Sequence, residues 1–394
     1  MNVANPLLIL VCIALALLTI QLPKRAYGSP PLSGRYGSID GLRGYLGFLV
    51  FLSHAYLWPE YVRSGFWGHS SQVLRHFGEA SVLLFFMITG FLFTGKLLRG
   101  ADRPVDWLEL FVGRALRLVP LYAAAMVVLA VLVLCTTGLT LNQDPLEIVK
   151  RALHWAGFTI FNAPDVNGFK ETRLVMSGVT WTLPYEWMFY LALPAMALAL
   201  HRRVSLMLVG ACSTLAGVIF VFNHRPMCLL AFVSGIASAW LVRSDALQRF
   251  ARSTSATVLT ITCLAVTILG FESAYKIVPT ILVSVAFALI AAGCSLGGVL
   301  TAGTSRMLGD CSYGLYLLHG FVLYITYRFV LGFDVAARLS TTQHWMIVMA
   351  CTPVLVLIAY ASFRFIEAPV MRKTAVVTAM LRRRPMLEAV EAAA

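Results

Sequence analysis

The 394-residue chain is 59% hydrophobic and only 12% charged, where a soluble domain carries roughly a quarter charged residues, so water is not its main solvent. Its formal charge of +13 is dispersed over alternate short loops, which reads as topology by the positive-inside rule and argues against a nucleic-acid partner. The eight cysteines are scattered without a CxxC pair and read as reduced packing residues; no metal is expected.

Apolar runs of about the 20 residues that a crossing helix needs recur along the chain, at 6–22, 41–58, 78–97, 115–138, 182–200, 204–222, 226–242, 254–271, 277–299, 308–330 and 344–363. They are continuous and lack period-two alternation, so the expected fold is an all-α, polytopic membrane bundle of about eleven helices, not an outer-membrane barrel. The first run has no basic start and is followed by Lys24 and Arg25, which favours an uncleaved anchor over a secretory signal peptide. With the amino terminus outside, the cytoplasmic segments collect Lys24, Arg25, Arg35, Arg99, Arg103, Arg114, Arg202, Arg203, Arg243, Arg249, Arg252, Arg306, Arg372, Lys373 and Arg382 to Arg384, the bias the positive-inside rule describes. The segment 139–181 holds Pro145, Asn162, Pro164, Asn167 and Gly168 and is expected as an outer loop with a short interfacial helix within 148–161. The basic tail after Arg372 is expected on anionic lipid headgroups at the cytoplasmic face.

Polar groups inside the spans carry the chemistry, because a charge at mid-bilayer costs about 2.5–3.5 kcal/mol on insertion scales and must be compensated. The run SIDGLRGYLGFLVFLSHAYLW places Asp40 and Arg43 at the inner end of the second span and His54 in its outer half. Eleven residues are about three helical turns, so Arg43 and His54 share a face roughly 16 Å apart. A lone histidine in an apolar helix is most often a packed core residue, but a neutral imidazole in a partly dry site also serves as a general base near neutral pH. Asp40 reads equally as a helix cap or as a partner of Arg43.

Further along, RALRLVPLY sets Arg114 and Arg117 on one helical face, either snorkelling to the surface or anchoring phosphate oxygens. TWTLPYEWMFYLALP brings Glu186 into the membrane beside Trp181, Tyr185 and Tyr190, and an intramembrane carboxylate is a functional-site candidate by default. CSYGLYLLHG gathers Ser312, Tyr313, Tyr316 and His319 in one span, and RFIEAP puts Glu367 and Pro369 at the inner end of the last.

These motifs together resemble acyltransferase family 3 of membrane O-acyltransferases, over about residues 35 to 370. The most specific element is the arginine, ten-residue, histidine pattern met by Arg43 and His54. FFMITGFL (Phe85 to Leu92), RALRLVP (Arg114 to Pro120), WTLPYEWMFY (Trp181 to Tyr190), SYGLYLLH (Ser312 to His319) and FIEAP (Phe365 to Pro369) follow in the family's order. The chain departs from the family where Leu83 and Leu84 precede FF in place of an Asp, and where Thr89 replaces a Ser, so that segment receives no catalytic role. The family's ten-helix core leaves the first run as an addition, which divides the chain into an anchor and linker (1–34), an acyltransferase domain (35–370) and a tail (371–394). No esterase-like domain follows, so the membrane unit is expected to act alone or with a separate partner.

The resemblance implies transfer of an acyl group, acetyl being the expected one, from acyl-coenzyme A on the cytoplasmic side. The implied acceptor is a hydroxyl of a glycan or similar cell-envelope molecule, and the implied place is a bacterial inner membrane, with the carboxyl terminus cytoplasmic. On that reading His54, Glu186 and Asp40 are the catalytic candidates; Arg43, Arg114 and Arg117 bind the donor; and Trp181, Tyr185, Tyr313 and His319 bind the substrate. Direct attack and a covalent acyl-histidine both fit. The rival class is a transporter or flippase of a glycan or lipid-linked substrate, since buried His, Arg and Glu also line transport paths; a third is a non-catalytic binding subunit of an envelope complex.

Overall fold

In the computed structural model the described residues are 5–27, 36–68, 71–99, 105–200 and 202–391, excluding the side chains at 24, 26, 27 and from 383 onward. Arg35 and Arg103, and the side chains of Lys24, Arg383 and Arg384, lie outside that description. Helix follows helix: α1 (Pro6–Tyr27), α2 (Gly37–Ser64), α3 (Gln72–Arg99), α4 (Trp107–Thr136), α5 (Pro145–Ala156) and α6 (Thr172–Val175). Then come α7 (Leu183–Ala199), α8 (Leu206–Phe222), α9 (Pro226–Leu241), α10 (Asp245–Ala251), α11 (Thr254–Gly270) and α12 (Ile277–Ala292). The chain closes with α13 (Gly303–Asp310), α14 (Ser312–Ile325), α15 (Phe333–Ala337), α16 (Thr341–Ser362), α17 (Ala368–Met371) and α18 (Thr374–Glu391). Among the described residues β pairing is confined to one isolated bridge, Val166 with Phe169.

All eleven apolar runs contain a helix, and the fold is an all-α membrane-type bundle. Five stretches are long and apolar enough to cross a bilayer, and a sixth if the α9–α10 pair, bent by 107°, counts as one; α8, α11 and α12 are shorter apolar helices. Helix length and composition are therefore met by five or six candidate crossings among the described residues, against the eleven expected.

Three glycine-mediated contacts hold the bundle. A Cβ on Gly309 of α13 would lie 1.8 Å from the Asp40 carbonyl oxygen of α2, and one on Gly41 would lie 1.9 Å from that of Leu300. A Cβ on Gly235 of α9 would lie 2.2 Å from the Met87 oxygen of α3. Backbones this close leave no room for a side chain, the mode of packing by which membrane helices associate where lipid removes the hydrophobic drive. One core gathers α1, α4, α16 and the outer parts of α2 and α14; a second gathers α3, α7, α9, α12 and the inner part of α2. Tyr313 packs against both.

Several expectations are corrected. The run 277–299 is helical only to Ala292, because Gly293 (φ 124), Leu296 (φ 50), Gly297 (φ 67) and Gly298 (φ 91) turn the chain away. The run 308–330 breaks at Cys311, between α13 and α14, and ends in a π turn over Thr326–Leu331. The end of the predicted outer loop is core: Thr172, Val175, Met176, Val179 and Thr180 are buried. A Cβ on Gly320 would come within 2.3 Å of the Met176 carbonyl carbon, so α14 has a groove into which this stretch sinks. Earlier in the same segment α5 covers Pro145–Ala156, where a helix within 148–161 is expected, with Leu146, Val149 and Leu153 exposed along one face. The tail is a helix, α18, that packs on α4, with Arg382 paired to Asp106.

Candidate active site

The site starts from one crossing. A Cβ on Gly47 of α2 would lie 3.1 Å from the Ser312 carbonyl oxygen at the start of α14, and this close approach brings His54 and His319 together. His319 Nε2 is 3.1 Å from His54 Nδ1, with the rings stacked at 5.0 Å between centroids. His319 Nδ1 is 3.0 Å from the Leu315 carbonyl oxygen, which can only accept. In a neutral His319 the proton therefore sits on Nδ1 and the lone pair on Nε2, so His54 donates from Nδ1 to His319 and to the Val50 oxygen 3.1 Å away. This assignment leaves the lone pair of His54 on Nε2, the form a general base requires. Trp67 stacks beside it with centroids 6.3 Å apart. His319 is fully buried, whereas His54 is half-buried.

Closer to the amino-terminal end of α2 lies a cavity of about 110 Å³ whose charged lining is Arg43, Arg114, Arg117 and Glu186. Glu186 is within electrostatic range of all three arginines. Arg114 lies over the rings of Phe93, at 5.0 Å, and Tyr190, at 6.0 Å. Arg117 Nη1 meets Glu367 Oε2 at 3.1 Å, and that carboxylate is wholly shielded from solvent. The π turn over Phe363–Glu367 turns Glu367 inward, a distortion often found where a helix serves a site. Tyr313 donates to the Leu118 oxygen at 3.0 Å and lies 6.0 Å from the Arg117 guanidinium.

Phe85 and Tyr316 also line the cavity and pack on Val50 and Val179. Val50 is one helical turn, about 6 Å, before His54. The Tyr316 hydroxyl is held by the Val179 oxygen at 3.0 Å and Thr182 Oγ1 at 2.8 Å. A cationic cavity thus ends one turn short of an oriented imidazole.

A family model described as an acyltransferase domain matches residues 36–364. The chain belongs to acyltransferase family 3. Nodulation protein 10 of Rhizobium leguminosarum bv. viciae is 31% identical over 180 residues, covering 43% of this chain and 46% of that protein. The chain thus spans about half the length of the curated relative it matches. No solved structure matches.

In this family 3 chain the matched range holds Arg43, His54, Arg114, Arg117, Glu186 and His319, and ends just before Glu367. The structure brings Arg43, Arg114, Arg117, Glu186 and Tyr313 to one cavity. It sets His319, expected among the substrate-binding residues, against His54 itself. Asp40 is fourteen residues, about 21 Å, from His54 along α2, among Arg43 and Arg306. Trp181 and Tyr185 lie to one side of the cavity: the Arg225 guanidinium covers the Trp181 ring at 4.3 Å, and the Arg225 amide donates to the Tyr185 hydroxyl at 3.0 Å. Leu83 and Leu84, in place of the family's Asp, are buried packing residues. Tyr316 and Glu367 were visible in motifs, but their partners are 134 and 250 positions away and no local pattern signals them. Among the described residues no group of His, Cys, Asp and Glu is arranged to hold a metal ion.

Proposed function

We propose that the protein is a membrane O-acyltransferase that moves an acyl group, acetyl being the expected one, from acyl-coenzyme A to a hydroxyl of a glycan or similar cell-envelope acceptor. The observation that carries this reading is the orientation of His54: its Nδ1 proton is committed to His319 and Val50, and it stands one turn beyond a cavity of arginines. Arg43, Arg114 and Arg117 are the donor-binding cations, since guanidinium groups match the oxygens of a phosphorylated, carbonyl-rich donor. The thioester passes Phe85 and Tyr316 to reach His54, and the acceptor arrives from the opposite side of the membrane.

There the acceptor oxygen attacks the thioester carbonyl carbon while His54 Nε2 takes the hydroxyl proton. The tetrahedral adduct collapses by breaking the carbon–sulfur bond, and the imidazolium returns its proton to the departing thiolate, leaving an ester and free coenzyme A. His319 holds the His54 tautomer; Glu186 keeps the cavity arginines in place and Asp40 partners Arg43. Tyr313 lines the donor path, and Trp181 and Tyr185 brace it from the side. We place the protein in a bacterial inner membrane on its likeness to the family, with the carboxyl terminus cytoplasmic on the distribution of its basic residues.

The test is purified protein with labelled acyl-coenzyme A and a panel of glycans. Release of coenzyme A that depends on acceptor is the expected result. Donor-independent movement of a glycan across vesicles, with no coenzyme A released, would favour the transporter instead.

A further inference from the structure

A second cavity, of about 650 Å³, opens where α2 begins and α3, α9 and α12 end. Its charged lining is Arg99, Arg243 and Arg252. Among the described residues none of the three is ion-paired with an acid. Arg99 donates to the Tyr36 hydroxyl at 3.1 Å, Arg243 lies over the Trp240 ring at 5.6 Å, and Arg252 runs against Gly293, whose φ of +124 suits a residue without a side chain. Snorkelling explains arginines at a membrane edge, but not three of them lining one recess with no carboxylate among its described lining residues.

The two cavities lie in line. Arg99 lines the second and Leu92 the first, seven residues apart on α3, while Gly37 and Ser38 at the start of α2 line the second and Arg43 further along it lines the first. Seven residues are two turns, about 10 Å, and return to nearly the same helix face. His54 continues that line on α2 beyond Arg43. In the first cavity the arginines already face Glu186 and Glu367, and the space is small and walled with aromatic rings. A multiply charged phosphate meets less uncompensated positive charge there than in the second.

We infer that the second cavity holds the phosphorylated nucleotide end of the acyl-coenzyme A donor, with Arg99, Arg243 and Arg252 gripping its phosphates. This rests on the donor reading above and extends it: the donor spans both cavities, nucleotide in the outer recess and pantetheine arm in the inner one.

The experiment measures equilibrium binding of coenzyme A and of 3′-dephospho-coenzyme A to the full-length protein in zwitterionic phosphatidylcholine nanodiscs. It compares the unaltered chain with Arg99→Gln and with the double variant Arg243→Gln/Arg252→Gln. All three arginines are exposed, so the variants fold, which a matching thermal melt verifies. The expected result is binding of coenzyme A weakened about tenfold or more in the double variant, with the preference over the dephospho form reduced. Unchanged affinity for both ligands, while the unaltered chain binds them, would overturn this inference and leave the donor reading standing. A double variant that loses only its response to added phosphatidylglycerol would also overturn it, assigning the recess to a lipid headgroup. No binding of coenzyme A by the unaltered chain would overturn the donor reading and this inference together.

Discussion

His319 and His54 are 265 positions apart in sequence and 3.1 Å apart in space, Nε2 to Nδ1. Because the far nitrogen of His319 is committed to a backbone carbonyl, the pair resembles in logic a carboxylate orienting a catalytic imidazole, with a neutral ring as the acceptor. His319→Leu removes that acceptor and is expected to lower kcat by about one to two orders of magnitude with the donor KM retained. His319→Gln, whose side-chain oxygen accepts a hydrogen bond, is expected to recover part of the loss. Equal activity in the two variants, by steady-state kinetics, would mean that His319 only fills space.

The buried Arg117–Glu367 pair gives a second prediction. Removing one member of a buried pair strands a charge and costs about 3–5 kcal/mol, whereas replacing both with apolar groups is often neutral. Glu367→Leu alone should therefore melt well below the unaltered chain in detergent. Glu367→Leu with Arg117→Met should recover most of the stability yet bind the donor poorly. A double variant as unstable as the single would show that the pair does more than neutralise itself.

At the α2–α13 contact, Gly309→Ala forces a carbon to within 1.8 Å of the Asp40 oxygen. Overpacking costs about 1–3 kcal/mol, and more where backbone must move. The expected outcome is a lower melting temperature and weaker donor binding, because α2 shifts Arg43 with it. Gly210→Ala, where nothing lies within 4 Å, is the control and should melt like the unaltered chain.

The tail supplies a pH prediction. Hydrogen bonding to Arg382, joined by the Glu109 amide, holds the Asp106 carboxyl below its ordinary range in the folded state. A depressed carboxyl stabilises docking above the unfolded pKa of about 3.9 and loses that contribution as pH falls through the lower, folded value. Docking of α18 on α4 should be constant from neutral pH to about pH 4 and loosen only below it. Asp106→Asn should remove that acid dependence, as read by a spin label placed near Arg382. Loosening already at pH 6 would point to another group.

Much of the bundle was legible in the sequence, because apolar runs, the positive loops and helical spacing are local properties. The shared face of Arg43 and His54 follows from a 3.6-residue period alone, and the joint placement of Arg43, Arg114 and Arg117 follows from their expected depth, whereas Glu186, expected at the depth of His54, joins those arginines instead. The His54–His319 pair was not, since it depends on how closely α2 and α14 cross at Gly47. The burial of Thr172 and of Val175 to Thr180 is hidden for the same reason: it requires the groove that Gly320 leaves on α14. Trp181 and Tyr185 carry the family's motif but turn to Arg225, a partner from a neighbouring helix start. The shortening of α12 was hidden because Ala, Leu and Gly continue the apolar composition through the turn.

In the proposed reaction His54 removes the acceptor's proton, and acceptor-dependent acyl transfer by His54→Ala tests that role most directly. With folding verified by the thermal melt and donor binding retained, the account predicts a fall of at least about a hundredfold. Transfer at the unaltered rate in that variant would contradict it.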